Sequence, residues 1–138
     1  MTSKTETCQD RVQENLQREL AVLRAFKAKM DAGEEGWLEE SGRIEDYGLS
    51  FDYVAPDTFK KQPRGYCRWQ LSWGGPSDEF RFYMDENQHC TRVQYWFLDW
   101  FDGANVKLTG PDFKLLQYFF DWFDGAGAVD AAIKKAKE

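Results

Sequence analysis

Apolar and aromatic side chains recur at every second position in four stretches between residues 47 and 101. In the last of these stretches, Val93, Tyr95 and Phe97 share one parity. Because successive side chains of a β-strand point to opposite faces, a period of two predicts strands. Turn-forming residues at 74–77 and 85–89 separate neighbouring stretches. The pattern therefore predicts a four-stranded antiparallel meander, a sheet within residues 47–101.

The segments before and after this predicted sheet have helical spacing instead. Residues 6–31 place apolar side chains three or four positions apart on a single stripe, which is typical of an amphipathic helix. Residues 111–124 begin with proline, a favoured first-turn residue, and residues 128–137 are rich in alanine and lysine. We therefore predict one α+β domain over residues 1–138: a long N-terminal helix, the four-stranded sheet covered on one face, and two C-terminal helices.

The apolar stripe of the first helix admits two interpretations. It either packs on the sheet or, because its spacing is nearly that of a heptad repeat, pairs with the same helix of a second copy. The chain is accordingly expected to be a monomer or a homodimer through this helix. The stripe consists of Val12, Leu16, Leu20, Leu23, Phe26 and Met30.

Cysteine usage and hydropathy indicate the compartment. Cys8, Cys67 and Cys90 are odd in number and lack the spacing of metal ligands, which favours a reducing environment. Residues 1–10 are polar, unlike the apolar core of a signal peptide. No apolar run approaches the roughly 20 residues that a membrane-spanning helix needs. These features predict a cytoplasmic protein without a membrane partner.

The acidic residues are concentrated in one segment. The chain has 24 acidic and 18 basic residues, a net charge of −6, and residues 31–46 alone hold seven acidic residues and one basic residue. Closely spaced carboxylates resemble a line of phosphates and attract proteins that normally bind nucleic acid. A solvated charge run is the other interpretation. The candidate partner-binding residues are Glu34, Glu35, Glu39, Glu40, Glu45 and Asp46, with Asp78 and Glu79 as additions.

The same charge balance disfavours direct binding of nucleic acid. Four aromatic residues of the central segment could stack bases, and four arginines lie among them. Residues 43–110 nevertheless hold eight basic against ten acidic residues, so no positive excess attracts phosphate. The arginines are therefore interpreted as cation–π and ion-pair partners within the fold. The aromatic residues are Trp69, Trp73, Tyr83 and Trp96, and the arginines are Arg64, Arg68, Arg81 and Arg92.

The hexamer Asp-Trp-Phe-Asp-Gly-Ala occurs twice, at residues 99–104 and 121–126. One interpretation buries the aromatic residues and leaves the aspartates in turns facing water. A second interpretation brings four carboxylates together as a metal site or as the acid and base of a hydrolase. These carboxylates belong to Asp99, Asp102, Asp121 and Asp124. A third interpretation makes the hexamers part of an acidic, aromatic surface that another protein recognises. Since the chain has no glycine-rich phosphate loop, metalloprotease motif or nucleophile elbow, we predict a non-enzymatic protein without a cofactor.

Two segments carry a resemblance to other proteins. They are Trp-Gln-Leu-Ser-Trp-Gly-Gly-Pro-Ser-Asp-Glu-Phe-Arg-Phe at residues 69–82 and Tyr-Trp-Phe-Leu-Asp-Trp-Phe-Asp-Gly-Ala at residues 95–104. They resemble small acidic proteins carried by plasmids, integrative elements and phages of proteobacteria. The resemblance implies an inhibitor of a host nucleic-acid-processing defence machine, of the anti-CRISPR or anti-restriction type. Together with the acidic segment, it predicts a protein partner that normally binds nucleic acid.

Overall fold

The computed structural model describes residues 7–99 and 102–138 of the chain. It is an α+β structure in which one long helix precedes a small hairpin and a five-stranded sheet, and two further helices follow. The elements are α1 (Cys8–Asp31), β1 (Trp37–Leu38), β2 (Gly42–Arg43), a 3-10 turn (Ile44–Asp46), β3 (Ser50–Val54), β4 (Tyr66–Ser72), β5 (Ser77–Met84), β6 (Cys90–Asp99), β7 (Asp102–Lys107), α2 (Gly110–Gly125) and α3 (Ala128–Ala136).

Helix α1 confirms the prediction of a long amphipathic N-terminal helix. Thr7 caps its N-terminus, because the Thr7 hydroxyl accepts a 3.2 Å hydrogen bond from the backbone N–H of Asp10. The apolar stripe, apart from half-buried Met30, lies in the core against the sheet. The stripe is thus covered within the same chain, and the homodimer interpretation loses the surface on which it depended. Residue 6, where the predicted helix began, lies outside the described residues.

The sheet is an antiparallel meander in the order β3-β4-β5-β6-β7, so the predicted count of four strands is wrong. The missed strand, β7, pairs with β6 along its length, with Ala104 opposite Phe97. Its own sequence is short, polar and begins with Asp-Gly, which reads as a turn. Pairing with β6, and not its own apolar pattern, makes it a strand. The predicted end of the sheet at residues 100 and 101 lies outside the described ranges.

The two faces of the sheet differ in what covers them. The three helices pack on one face, where Trp69 contacts the rings of Phe119 and Phe123 at 5.9 and 4.9 Å between centroids. Helices α2 and α3 begin and end within one residue of their predicted bounds. Within the described residues, the opposite face carries no helix and holds a small separate apolar cluster of Val54, Tyr66 and Tyr83. We call this second side the open face.

Two further observations concern the lengths of the helices and the state of the cysteines. None of the helices in residues 7–99 and 102–138 is both long and apolar enough to cross a membrane. The three cysteines are free and buried.

Candidate functional site: an arginine-lined groove

A groove of about 370 Å³ lies on the open face, between strands β4, β5 and β6 and the segment of residues 59–64. Among the described residues, five basic residues line it and no acidic residue does. We call it the arginine groove. Its lining comprises Lys60, Lys61, Arg64, Arg81 and Arg92, the aromatic residues Phe59, Tyr66, Tyr83 and Trp96, and Gln62, Pro63 and Gln94.

Strand register assembles the floor of the groove. Arg81 on β5 lies opposite Gln94 on β6, and Tyr83 lies opposite Arg92. Because side chains alternate along a strand, Arg81 and Tyr83 share a face, as do Arg92, Gln94 and Trp96 on the neighbouring strand. The antiparallel pairing therefore gathers basic and aromatic residues that are distant in sequence.

The guanidinium groups in the groove stack on aromatic rings. Arg81 lies 4.0 Å from the ring centroid of Trp96 and 4.7 Å from that of Tyr66. Arg92 and Arg64 both lie over Tyr83, at 4.2 and 5.5 Å. Cation–π stacking fixes the plane of each guanidinium. Nε of Arg81 donates to Glu79 at 2.7 Å and an Nη of Arg64 donates to the carbonyl oxygen of Met84 at 3.4 Å, and the other N–H groups of the three arginines make no hydrogen bond with the described residues. The arginines are thus oriented before any ligand arrives.

Two buried polar atoms of these residues have no hydrogen-bond partner among the described residues. They are the hydroxyl of Tyr66, whose side chain is fully buried, and Nε of Arg92. Burial also raises the pKa of Tyr66. An unpaired buried polar group costs about 1–3 kcal/mol, so a hydrogen bond to either atom would stabilise the protein.

Gln62 organises the segment that forms the rim. Its amide nitrogen donates to the carbonyl oxygens of Ala55 and Arg64 at 3.0 and 2.6 Å, and its amide oxygen accepts from the backbone N–H of Phe59 at 3.0 Å. These hydrogen bonds fix the conformation of the segment, which lines the groove together with the strands. The side chain of Phe59 remains 52% exposed at the rim.

The acidic segment forms a different surface. Its β1–β2 hairpin packs on α1 through Leu38, on the helix-covered side of the sheet and therefore away from the arginine groove. Trp37 in this hairpin is 49% exposed. The candidate residues Glu34, Glu35, Glu39, Glu40, Glu45 and Asp46 are all exposed, and of these Glu34 contacts Lys29 at 3.3 Å. We call these six residues with Trp37 the acidic hairpin.

The structure does not place Asp78 and Glu79 on that surface. Both are buried, at 7% and 2% exposure. Asp78 accepts hydrogen bonds from the hydroxyls of Tyr95 and Ser72, and Glu79 accepts from Arg81 at 2.7 Å. Their carboxylates already accept hydrogen bonds within the fold. Contrary to the prediction, neither is therefore available to contact a partner. Glu79 instead positions an arginine of the groove.

The two copies of the repeated hexamer have separate roles. Asp99 pairs with Arg11 at 2.9 Å, and Asp102 accepts a 2.8 Å hydrogen bond from the backbone N–H of Cys8, so the first copy holds the N-terminus of α1. The second copy ends α2, where Asp121 and Asp124 are exposed.

The four aspartates do not converge. Asp121 lies near Cys90, at the start of β6, and raises the pKa of that thiol, whereas Asp99 ends the same strand. Nine residues of extended strand span roughly 30 Å. Within the part of the chain that the structure describes, no group of three or more His, Cys, Asp or Glu side chains is placed to hold a metal ion.

The nucleophilic side chains are in unreactive settings. Burial raises the pKa of Cys67 and of Cys90 to about 12, so both remain thiols at neutral pH. His89 is exposed in the turn before β6, and its Nδ1 lies 3.7 Å from Oδ2 of Asp85. No thiolate–imidazole pair of the kind used in covalent catalysis is formed by these residues.

Sequence reasoning named Arg64, Arg81, Arg92, Tyr83 and Trp96 but did not recognise the site they form. A signal was present, because positions 81 and 83, and 92, 94 and 96, share parity on adjacent predicted strands. Counting charge by sheet face instead of by segment would have found the groove. Comparison of the chain with protein-family models, curated proteins and solved structures gives no match.

Proposed function

We propose that the protein is a non-enzymatic binding protein and that the arginine groove is its binding site for a phosphate-bearing ligand. One observation carries this proposal. Five basic side chains and no acidic side chain line a groove in which a buried tyrosine hydroxyl and an arginine Nε have no partner among the described residues.

The chemistry of the groove suits phosphate. A guanidinium donates through two parallel N–H groups, which match two oxygens of a phosphate, and Lys60 and Lys61 add mobile point charges at the rim. Such charge-assisted bonds are worth about 1.5–3 kcal/mol each.

The absence of a catalytic role is supported by the state of the reactive groups. The thiols of Cys67 and Cys90 are held protonated by burial, and the carboxylates of Asp99 and Asp102 are engaged by α1. Within the groove, the rings and guanidinium groups supply binding contacts without a general base.

Calorimetric titration with inorganic pyrophosphate at low ionic strength tests this proposal. The wild-type protein should bind, and Arg64→Gln and Arg92→Gln should each weaken binding by about tenfold or more. Arg64 is exposed, so its substitution leaves the fold intact. Arg18→Gln, on the exposed side of α1, is the matched control and should bind like the wild type. Absence of pyrophosphate binding, or equal binding by all four proteins, would overturn the proposal.

A second candidate function belongs to the acidic hairpin. An exposed tryptophan among six exposed carboxylates combines an anchor residue with a charge pattern that attracts cationic surfaces. This surface would dock on a protein that normally binds nucleic acid and block it, as expected for an inhibitor of a host defence machine.

Charge reversal separates this second function from the first. A variant with Glu35, Glu39, Glu40 and Glu45 changed to lysine should no longer capture a nucleic-acid-handling protein from nuclease-treated lysate of the natural host. A control variant with four other exposed acids changed to lysine has the same net charge and should retain capture. The control positions are Glu14, Asp121, Asp124 and Asp130. Equal capture by both variants would contradict docking through the hairpin.

A further inference from the structure

The arginine groove has features beyond charge that identify its ligand more closely. This inference rests on the proposed function: we infer that the groove binds single-stranded nucleic acid, with backbone phosphates on the arginines and an unpaired base stacked on Phe59. Three independent features of the groove carry it.

The first feature is the aromatic rim. Phe59 is 52% exposed beside Lys60 and Lys61, so a flat apolar ring stands next to two cations. Proteins that bind single strands combine a positive groove along the backbone with aromatic side chains on which bases stack.

The second feature is the fixed amide of Gln94. Its oxygen accepts hydrogen bonds from the hydroxyl of Tyr83 at 3.2 Å and from Nε1 of Trp96 at 3.0 Å. Because both donors hold the oxygen, the orientation of the amide is fixed, and its nitrogen makes no hydrogen bond with the described residues. A base edge presents carbonyl and ring-nitrogen acceptors that such a donor recognises, whereas inorganic phosphate needs no amide.

The third feature is the separation of charge in the molecule. The acids of the central segment are either engaged, as Asp52 is with Arg68 at 2.7 Å and Glu79 with Arg81, or lie outside the groove lining. The basic side chains therefore set the local potential, although the chain as a whole is negative. An acidic peptide would satisfy the guanidinium groups but leave Phe59 without a planar group to stack on.

Fluorescence anisotropy with a labelled twelve-residue oligothymidine tests the inference. The wild-type protein should bind, and the logarithm of the binding constant should fall against the logarithm of salt concentration with a slope of about −2 for three contacted phosphates. Phe59→Ala should weaken oligothymidine binding by about 5- to 150-fold, the range for loss of one stacked base, and should weaken pyrophosphate binding less. Arg92→Gln should weaken both.

Trp37→Ala is the matched control, because Trp37 is 49% exposed on the opposite side of the sheet. It should bind oligothymidine like the wild type. Gln94→Leu is a second groove variant with a different chemistry, and it should weaken oligothymidine more than pyrophosphate. Circular dichroism melting of every variant ensures that a loss of binding is not a loss of folding.

The outcomes separate the inference from the proposed function. Pyrophosphate binding without oligothymidine binding leaves the proposed function standing and overturns the inference. Failure of both ligands overturns both. Oligothymidine binding that Phe59→Ala and Arg92→Gln leave unchanged places the contact outside the groove and overturns the inference. Tighter binding of an oligoglutamate peptide than of oligothymidine would assign the groove to an acidic peptide instead.

Discussion

The hydroxyl of Tyr95 donates a 2.6 Å hydrogen bond to Oδ2 of Asp78, and both side chains are buried. This bond joins β6 to the start of β5 and accounts for an aspartate inside the sheet. Burial and the neighbouring carboxylate raise the pKa of Tyr95, so its hydroxyl stays protonated and remains a donor.

Tyr95→Phe should lower the free energy of unfolding by about 1.5–3 kcal/mol, because it removes a hydrogen bond to a buried charged group. Urea denaturation monitored by tryptophan fluorescence measures the change. Tyr118→Phe is the control, since the hydroxyl of Tyr118 makes no hydrogen bond with the described residues, and it should change stability little. Equal stability of the Tyr95 and Tyr118 variants would contradict the assigned role.

Glu19 should make stability depend on pH. Burial raises its pKa above the ordinary 4.5, with a further rise from Asp78, while the hydrogen bond from Tyr47 and the charge of Arg18 act in the opposite direction. The folded state therefore holds the Glu19 proton more tightly than the unfolded state. Ionisation of Glu19 thus costs stability as pH rises from about 4.5 through the raised pKa, and the cost is relieved on acidification.

Glu19→Gln removes this cost and keeps an acceptor for the Tyr47 hydroxyl. The stability of the variant relative to wild type should increase between pH 4.5 and 7, as measured by urea denaturation at several pH values. Glu14→Gln, exposed on the same helix, is the control and should leave the free energy of unfolding close to that of the wild type. If the free energy of unfolding of the wild type instead increases relative to that of the Glu19 variant as pH rises, the assigned direction of the Glu19 pKa shift is wrong.

The duplicated hexamer provides its own matched pair of substitutions. The backbone N–H of Cys8 donates to Asp102 and lowers its pKa below the ordinary 3.8. That contribution to stability is present above pH 3.8 and is lost as pH falls through the lowered pKa. Asp102→Asn should therefore lower the melting temperature at pH 7 and have a smaller effect near pH 3.

Asp124 occupies the equivalent position in the second copy but is exposed at the end of α2. Asp124→Asn should leave the melting temperature at pH 7 unchanged. Similar losses in the Asp102 and Asp124 variants would mean that the two copies do share a role after all.

Gly48 lies between the 3-10 turn and β3 with a backbone φ of +82°. A Cβ at this position would lie 2.8 Å from Nε1 of buried Trp69, which donates to the carbonyl of Tyr47. Gly48→Ala should lower the free energy of unfolding by about 1–3 kcal/mol, since it combines a left-handed conformation with a steric clash.

Gly125 serves as the control for this substitution, because a Cβ there meets no atom within 4 Å. Gly125→Ala should be neutral or stabilise by up to about 1 kcal/mol. Urea denaturation of both variants makes the comparison. A Gly48 variant as stable as the Gly125 variant would contradict the strain at residue 48.

The helices were predictable because each carries its own amphipathic stripe, as in Leu16, Leu20 and Leu23 of α1. The antiparallel order was predictable because the turns at residues 74–77 and 85–89 connect neighbours. Strand β7 was not, since it depends on pairing with β6, and neither was the β1–β2 hairpin, whose strands have two residues each. The stabilisation that a partner strand supplies cannot be predicted from the local sequence pattern of the strand itself.

The individual residues of the candidate site could be named from the sequence, but their arrangement in space could not be predicted from it. Asp78 and Glu79 follow a glycine-rich turn and look exposed, but Tyr95 and Arg81 approach them only through strand pairing. Similarly, Arg64 lies outside the strands and meets Tyr83 only when its segment folds over the sheet. Charge counted along residues 43–110 is slightly negative, whereas the charged residues that line the groove are all basic among those described.

The acidic hairpin and the arginine groove lie on opposite sides of one small sheet. A molecule whose positive and negative charges are separated experiences a torque in an external electric field, even where its net charge is repelled. Near a polyanion such a molecule rotates until the arginine groove faces the polyanion, and near a cationic surface it rotates until the acidic hairpin faces that surface. The direction from which a partner is met is thus selected during approach, before any side chain makes contact.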